Sequence, residues 1–118
     1  MSKAVTIYGI KACDTMKKAR AWLEDHGVSH TFHDYKAQGV DQATLEGWAR
    51  SVDWEILLNR SGTTFRKLPG ADQQGLTQAK AIALMLAQPS MIKRPVLETG
   101  DGPPLVGFKA DAYAARFG

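Results

Sequence analysis

The amino-acid sequence predicts an α/β fold in which a four-stranded mixed sheet is interrupted by a helical insertion. Three observations lead to this prediction: the chain begins with a strand, helix and strand pattern, its middle is helical, and it ends with two short strands and a helix. Its 118 residues are 44% hydrophobic and 23% charged, which is the composition of one ordinary globular domain. We therefore expect residues 1–118 to form a single domain, with the insertion at about residues 40–90.

The first third of the chain has the pattern of a strand, a helix and a second strand. Residues 4–8, AVTIY, are mostly β-branched or aromatic, as in a central strand, and Gly9 is expected to form the turn after them. A helix is predicted from Asp14 to the stop signal Gly27. Its apolar residues at helical spacing are Met16, Ala19, Trp22 and Leu23. Residues 30–35, HTFHDY, favour a second strand, parallel to the first because a helix connects them.

The middle of the chain is predicted to be helical. Asp41 is a typical N-cap residue and precedes a helix, which a short helical turn at residues 54–58 follows. The first of these helices has an apolar face made of Leu45, Trp48, Ala49 and Val52. Residues 59–75 are polar and rich in glycine, which indicates a connection. A further helix is expected to end at Pro89, with an apolar face of Leu76, Ala79, Ile82, Ala83 and Leu86.

The last quarter of the chain favours a hairpin and a helix. Residues 95–99 and 104–106 are strand candidates, and the turn signal Gly100, Asp101 and Gly102 between them suits an antiparallel hairpin. A final helix is predicted at about residues 109–116. The complete order, β-α-β, helices, then β-β-α, is the thioredoxin-like arrangement with helices inserted in its middle.

Composition and motifs argue against several classes of function. The net charge of +3 comes from dispersed cations, so no nucleic-acid partner is expected. No apolar run approaches the roughly 20 residues that span a bilayer, and no signal peptide is evident, so we expect a cytoplasmic protein without a membrane partner. The three histidines lack metal-ligand spacing and no phosphate-binding loop is present, so neither a metal nor a nucleotide cofactor is expected.

Cys13 is the only cysteine and the leading candidate for chemistry. It follows the first strand and directly precedes a helix, whose free backbone amides at residues 14–16 can stabilise a thiolate. Lys11 adds a nearby cation and the Thr15 hydroxyl a hydrogen-bond donor, whereas the carboxylate of Asp14 opposes ionisation. Lys11 and Thr15 are also candidate binding residues for glutathione or an oxyanion. The alternative is an inert, buried structural thiol. A single cysteine also means that any disulfide chemistry needs a second molecule.

Three segments resemble a known family. YGIKACDTMKKARAWLEDHGV, LLNRSGTTFRKL and LAQPSMIKRPVLETGDGPPLVGF are similar, in order and spacing, to blocks of the arsenate reductase (ArsC) family, above all its YffB-like branch and the related Spx-type proteins. The resemblance implies a thioredoxin fold with a helical insertion and a catalytic thiol at Cys13. It also implies that Arg60 and Arg94 bind an oxyanion and that Pro95 is a cis-proline facing the thiol.

Two departures from the family pattern refine the expected function. Arsenate-reducing members carry a third arginine after the last strand, where this chain has Gly107 and Phe108. The resemblance therefore points to a thiol reductase that uses glutathione as a co-substrate and has no tightly bound cofactor. Spx-type regulators carry a C-x-x-C pair, of which this chain has only Cys13. Arsenate reduction and a non-enzymatic, Spx-like role with a protein partner are the alternatives.

Overall fold

The computed structural model describes residues 5–11, 13–100 and 102–117. It divides into two compact units. The first, here called the sheet unit, comprises the described residues of Met1–Gln38 and Arg94–Gly118, and the second, the helical unit, is Gly39–Lys93. The predicted insertion at about residues 40–90 lies within the helical unit. The predicted start of the first strand at Ala4 and the turn residue Asp101 lie outside the described residues.

The described elements follow the predicted order. In chain order they are β1 (Thr6–Gly9), α1 (Asp14–Asp25), β2 (Thr31–Asp34), α2 (Tyr35–Gln38), α3 (Gln42–Ser51), α4 (Trp54–Leu57), α5 (Thr63–Arg66), α6 (Gly70–Gln73), α7 (Gln78–Ala87), a 3₁₀ turn (Pro89–Met91), β3 (Val96–Glu98), β4 (Leu105–Val106) and α8 (Ala110–Phe117). None of the helices in this described part of the chain is long and apolar enough to cross a bilayer.

The sheet has four strands in the order β2-β1-β3-β4. Strands β1 and β2 are parallel, with Gly9 opposite Asp34, and β3 is antiparallel to β1, with Tyr8 opposite Val96. Strand β4 pairs antiparallel with β3. The predicted four-stranded mixed sheet, its parallel pair and its terminal hairpin are thus confirmed. This register brings the ends of β1 and β2 and the start of β3 to one edge of the sheet.

The core of the sheet unit lies between the sheet and its helices. Its buried residues are Val5, Ile7, Met16, Ala19, Leu23, Leu97 and Tyr113. The prediction that Gly9 forms a turn is wrong, because Gly9 is the last residue of β1. A Cβ atom at this position would overlap Sδ of Met16. Glycine therefore serves close packing of α1 against the strand here.

The helical unit is built around α3 and α7. Asp41 caps α3 as predicted, and α7 begins two residues later than its apolar pattern suggested because Thr77 caps it, with Oγ1 accepting from the N–H of Lys80 at 3.2 Å. Residues 59–75 form more than the predicted connection, since they contain α5 and α6. One reason is hydrophobic burial, because the side chain of Phe65 in α5 is buried and anchors this part of the segment.

Candidate functional site

Cys13 lies between β1 and α1, at the edge of the sheet where β1 ends. It is the N-cap residue of α1, with an extended backbone (φ −116°, ψ 127°), and its carbonyl accepts the first helical hydrogen bond from the N–H of Lys17 at 3.0 Å. The side chain packs against the core of the sheet unit yet remains partly exposed. A thiol in this position is accessible to a reactant, unlike the sealed structural thiol of the alternative prediction.

The surroundings of Cys13 favour its ionised form. Partial burial opposes ionisation, but the N–H of Met16, the guanidinium of Arg94 and the N–H of Thr15 together outweigh it and lower the pKa of the Cys13 thiol. The N–H groups of Thr15 and Met16 lie in the first turn of α1, where backbone amides have no partner within the helix, so they can stabilise a negative charge on the sulfur. The thiolate fraction at neutral pH is therefore raised above that of an ordinary cysteine.

Arg94 lies beside Cys13 in the structure although the two residues are far apart in the sequence. It donates a hydrogen bond to the sulfur and adds its positive charge. The Arg94–Pro95 peptide bond is cis, as the resemblance implies, and the buried Pro95 is held by a 2.8 Å hydrogen bond from the N–H of Gly107 to its carbonyl. Gly107 has φ 79°, a conformation that glycine adopts readily. The start of β3 and the residue after β4 thus place Arg94 beside the thiol.

Tyr35 is a member of this cluster that sequence reasoning missed. It is the first residue of α2, directly after β2, and its side chain is fully buried. Its phenol lies near Cys13 and accepts a hydrogen bond from Arg94, while burial strongly raises its pKa and keeps it neutral. The available signal was a tyrosine at the end of a strand parallel to β1, where the register brings it to the same edge as Cys13.

The other predicted residues are placed as follows. Lys11 and Thr15 are exposed in the sheet unit, and Thr15 acts on Cys13 through its backbone N–H. Arg60 belongs to the helical unit, where it is half-exposed and lies 3.7 Å from the carboxylate of Glu55. The binding roles of these three residues remain predictions.

Within the described ranges, no three His, Cys, Asp or Glu side chains are grouped to hold a metal ion.

Cys13, Arg94 and Tyr35 therefore form one cluster, here called the thiol cluster, in which a partly exposed sulfur faces a guanidinium and a neutral phenol. A stabilised thiolate is a nucleophile that can attack the electrophilic sulfur of a disulfide or the central atom of an oxyanion. The adjacent guanidinium can pair with an anionic group of the reactant. The cluster is suited to thiol chemistry on an anionic partner.

This chain is similar in sequence and fold to several known proteins. The solved structure of a protein named YFFB is 62% identical, with a TM-score of 0.91 and coverage of 95% of this chain and 97% of that one. An arsenate reductase (ArsC) related protein from Brucella melitensis is also 62% identical, with a TM-score of 0.77 over 99% and 97% of the two chains. The global transcriptional regulator Spx of Listeria innocua is 28% identical to this chain, and the match covers 79% of this chain and 72% of the Spx chain. Because the model of the ArsC family matches residues 8–116, this chain belongs to the ArsC family.

Proposed function

We propose that this protein is a glutathione-dependent thiol reductase in which Cys13 is the only protein nucleophile. The observation that carries the proposal is the stabilised, partly exposed thiolate of Cys13 in a chain without a second cysteine. A lone thiol cannot resolve its own mixed disulfide, so an external thiol must complete each cycle. Membership of the ArsC family supports oxidoreductase chemistry at this position. We place the cycle in the cytoplasm, where glutathione is kept reduced.

The cycle has two thiol–disulfide exchanges. In the first, the Cys13 thiolate attacks the glutathione sulfur of a mixed disulfide, a Cys13–glutathione disulfide forms, and the substrate leaves as a thiolate that takes up a proton. In the second, the thiolate of a free glutathione attacks the bound glutathione sulfur, releasing oxidised glutathione and the Cys13 thiolate. Each cycle thus consumes one free glutathione and exchanges the disulfide of the substrate for that of oxidised glutathione, one half of which comes from the substrate.

The same cluster suggests how glutathione is held. Arg94 carries a positive charge next to the sulfur, and a guanidinium binds carboxylates such as those of glutathione through paired donors. We propose that Pro95 borders the groove for the thiol substrate and that Arg60 adds a further contact, as the family resemblance implies. Lys11 and Thr15, which lie next to Cys13 in the sequence, are proposed as additional binding residues. Substitution of Pro95, Lys11, Thr15 or Arg60 should raise the KM for glutathione more than it changes the rate of Cys13 alkylation.

Arsenate reduction is a weaker proposal for this chain. The family's third arginine would follow β4, where Gly107 and Phe108 stand. The next arginine, Arg116, is already engaged, since its guanidinium donates to Oγ1 of Thr99 at 3.0 Å and to the carbonyl of Pro103 at 2.8 Å. With one fewer cation, a tetrahedral oxyanion would lose one of its charge-assisted pairs.

A regulator role is also weaker. The Spx relative is named as a transcriptional regulator, and the resemblance to Spx-type proteins implies a second cysteine three residues after the first. This chain has Met16 there, and its side chain is buried in the core of the sheet unit. A thiol switch within the chain is therefore impossible, although binding of a protein partner is compatible with the exposed sulfur.

The proposal is tested by turnover of a glutathionylated peptide with glutathione, glutathione reductase and NADPH. The wild-type protein should release the peptide thiol catalytically, and mass spectrometry should trap a Cys13–glutathione adduct when free glutathione is omitted. Cys13→Ser should show neither. Arsenite formation without peptide turnover would favour the arsenate reductase, and a partner retained equally by wild type and Cys13→Ser would favour the regulator.

A further inference from the structure

The strand register gathers Tyr35 and Arg94 at the end of β1. Tyr35 follows Asp34, which is opposite Gly9, and Arg94 lies two residues before Val96, which is opposite Tyr8. From the same end of β1 the chain continues to Cys13. Three residues that are far apart in the sequence therefore meet at one sheet edge, and Tyr35 is the fully buried one of the three.

The contacts in the thiol cluster form a chain. The Tyr35 hydroxyl oxygen accepts a hydrogen bond from the guanidinium of Arg94, and that guanidinium also donates to the sulfur of Cys13. A guanidinium has its N–H donors in a rigid plane, so an acceptor on one edge orients the donors on the other. The burial of the phenol fixes that acceptor in place.

The neutrality of the acceptor matters for the charge at the sulfur. Burial raises the pKa of Tyr35, and the thiolate of Cys13 and the carboxylate of Asp34 raise it further against the opposing effect of Arg94. The carboxylate of Asp34 is itself engaged, since it accepts from the N–H groups of Lys36 and Ala37 at the start of α2. A carboxylate in the place of the phenol would pair with Arg94 and offset its charge, whereas a neutral phenol leaves that charge available to Cys13.

We propose that Tyr35 is a positioning residue, which sets the reactivity of Cys13 by holding the guanidinium of Arg94 against the sulfur without neutralising it. The inference deepens the proposed function and rests on the role of Cys13 as its nucleophile. It concerns a property of the free protein, however, so it can be measured without any substrate of the reductase.

The experiment is the rate of Cys13 alkylation by iodoacetamide as a function of pH. Tyr35→Phe removes only the hydroxyl and should slow alkylation at pH 6.5 by about threefold and move the pH profile upward, as expected for a weakened charge-assisted hydrogen bond at a partly exposed site. Tyr113→Phe is the matched control: Tyr113 is the other fully buried tyrosine of the sheet unit, and its hydroxyl has no hydrogen-bond partner among the described residues. This variant should leave the profile unchanged.

A double substitution separates positioning from a direct effect. If Tyr35 acts through Arg94, then adding Tyr35→Phe to Arg94→Ala should slow alkylation no further than Arg94→Ala alone. An unchanged profile for a folded Tyr35→Phe protein, or an equal further loss in the Arg94→Ala background, would overturn the proposal. Should Tyr35→Phe fail to fold, 3-fluorotyrosine at position 35, a weaker acceptor, should shift the profile in the same direction, and no shift would count against the role.

The outcome is distinguishable from that of the reductase assay. A shifted profile in a protein that turns over no glutathionylated peptide would uphold the positioning role and reject the proposed reductase. Turnover by the wild type with an unshifted Tyr35→Phe profile would do the reverse.

Discussion

Helices α1 and α3 begin with similar backbone geometry but differ in what their N-cap side chains do for the free backbone amides of the first turn. Both N-cap residues have an extended backbone, φ −116° and ψ 127° for Cys13 and φ −82° and ψ 163° for Asp41. The carboxylate of Asp41 accepts a 2.8 Å hydrogen bond from the N–H of Thr44, whereas Cys13 makes no side-chain capping bond. At α3 the free amides stabilise the helix, and at α1 they remain available to stabilise a thiolate.

This comparison teaches that a helix start can serve either stability or reactivity. A Ser, Thr, Asn or Asp cap stabilises a protein by about 1 kcal/mol relative to Ala. A thiol sulfur is a weak hydrogen-bond acceptor, whereas a thiolate sulfur carries a negative charge. The start of α1 therefore lacks part of the stability that a capping side chain provides, and it holds a nucleophile instead. The following predictions test the contrast, from the largest expected effect to the smallest.

Cys13→Ser should separate the two roles completely. We expect loss of all measurable turnover of a glutathionylated peptide, because the serine hydroxyl is not ionised at neutral pH. The free energy of unfolding in urea should stay the same or increase, since serine is a preferred N-cap residue. Retained turnover would remove Cys13 from the mechanism, and a large loss of stability would show that the thiol has a structural role.

Arg94→Ala should weaken the thiolate while leaving the helix start intact. The loss of its hydrogen bond and charge raises the pKa of Cys13, so alkylation at pH 6.5 should slow by about fivefold, or ~1 kcal/mol at a partly exposed site. Arg94→Lys is the control and should recover part of the rate through its charge. Equal rates in the wild type and Arg94→Ala would mean that the amides of α1 act alone.

Asp41→Ala should have the opposite combination of effects: it should lower the stability of the protein and leave the reactivity of Cys13 unchanged. Loss of the cap should lower the free energy of unfolding by about 1 kcal/mol in urea titrations. The pH profile of Cys13 alkylation should be that of the wild type, because Asp41 and Cys13 belong to separate compact units. Asp41→Ser, which keeps a capping oxygen, should recover most of the stability. A changed alkylation profile would contradict the division of roles between the two helix starts.

The smallest effect should be a pH dependence of stability. Because the folded state lowers the pKa of Cys13, it releases the thiol proton at a lower pH than the unfolded chain does. Stability should therefore rise as the pH increases through the folded pKa towards the unfolded one, and be lost again as the pH falls. The difference in urea midpoint between the wild type and Cys13→Ser, measured across this window, isolates the contribution. A difference of the opposite sign would mean that burial dominates at the sulfur.

Local patterns account for the predictions that succeeded. The N-cap at Asp41, the stop near Gly27 and the helix from Asp14 all depend on residues within a few positions of one another, and the structure has these features. The turn predicted at Gly9 failed for a reason outside the local sequence, the close approach of Met16. The missed helix α5 likewise depends on the burial of Phe65, which composition alone does not reveal.

The sequence by itself determined the order of elements, the family resemblance and the place of the one cysteine at a helix start, because periodicity, caps and spacing are read along the chain. Only the tertiary structure decided which side chains surround that cysteine. Arg94 and Tyr35 lie 81 and 22 positions away from it in the sequence, and strand pairing alone brings them to the same edge. The charge and the acceptor that tune the sulfur are therefore properties of the register of the sheet.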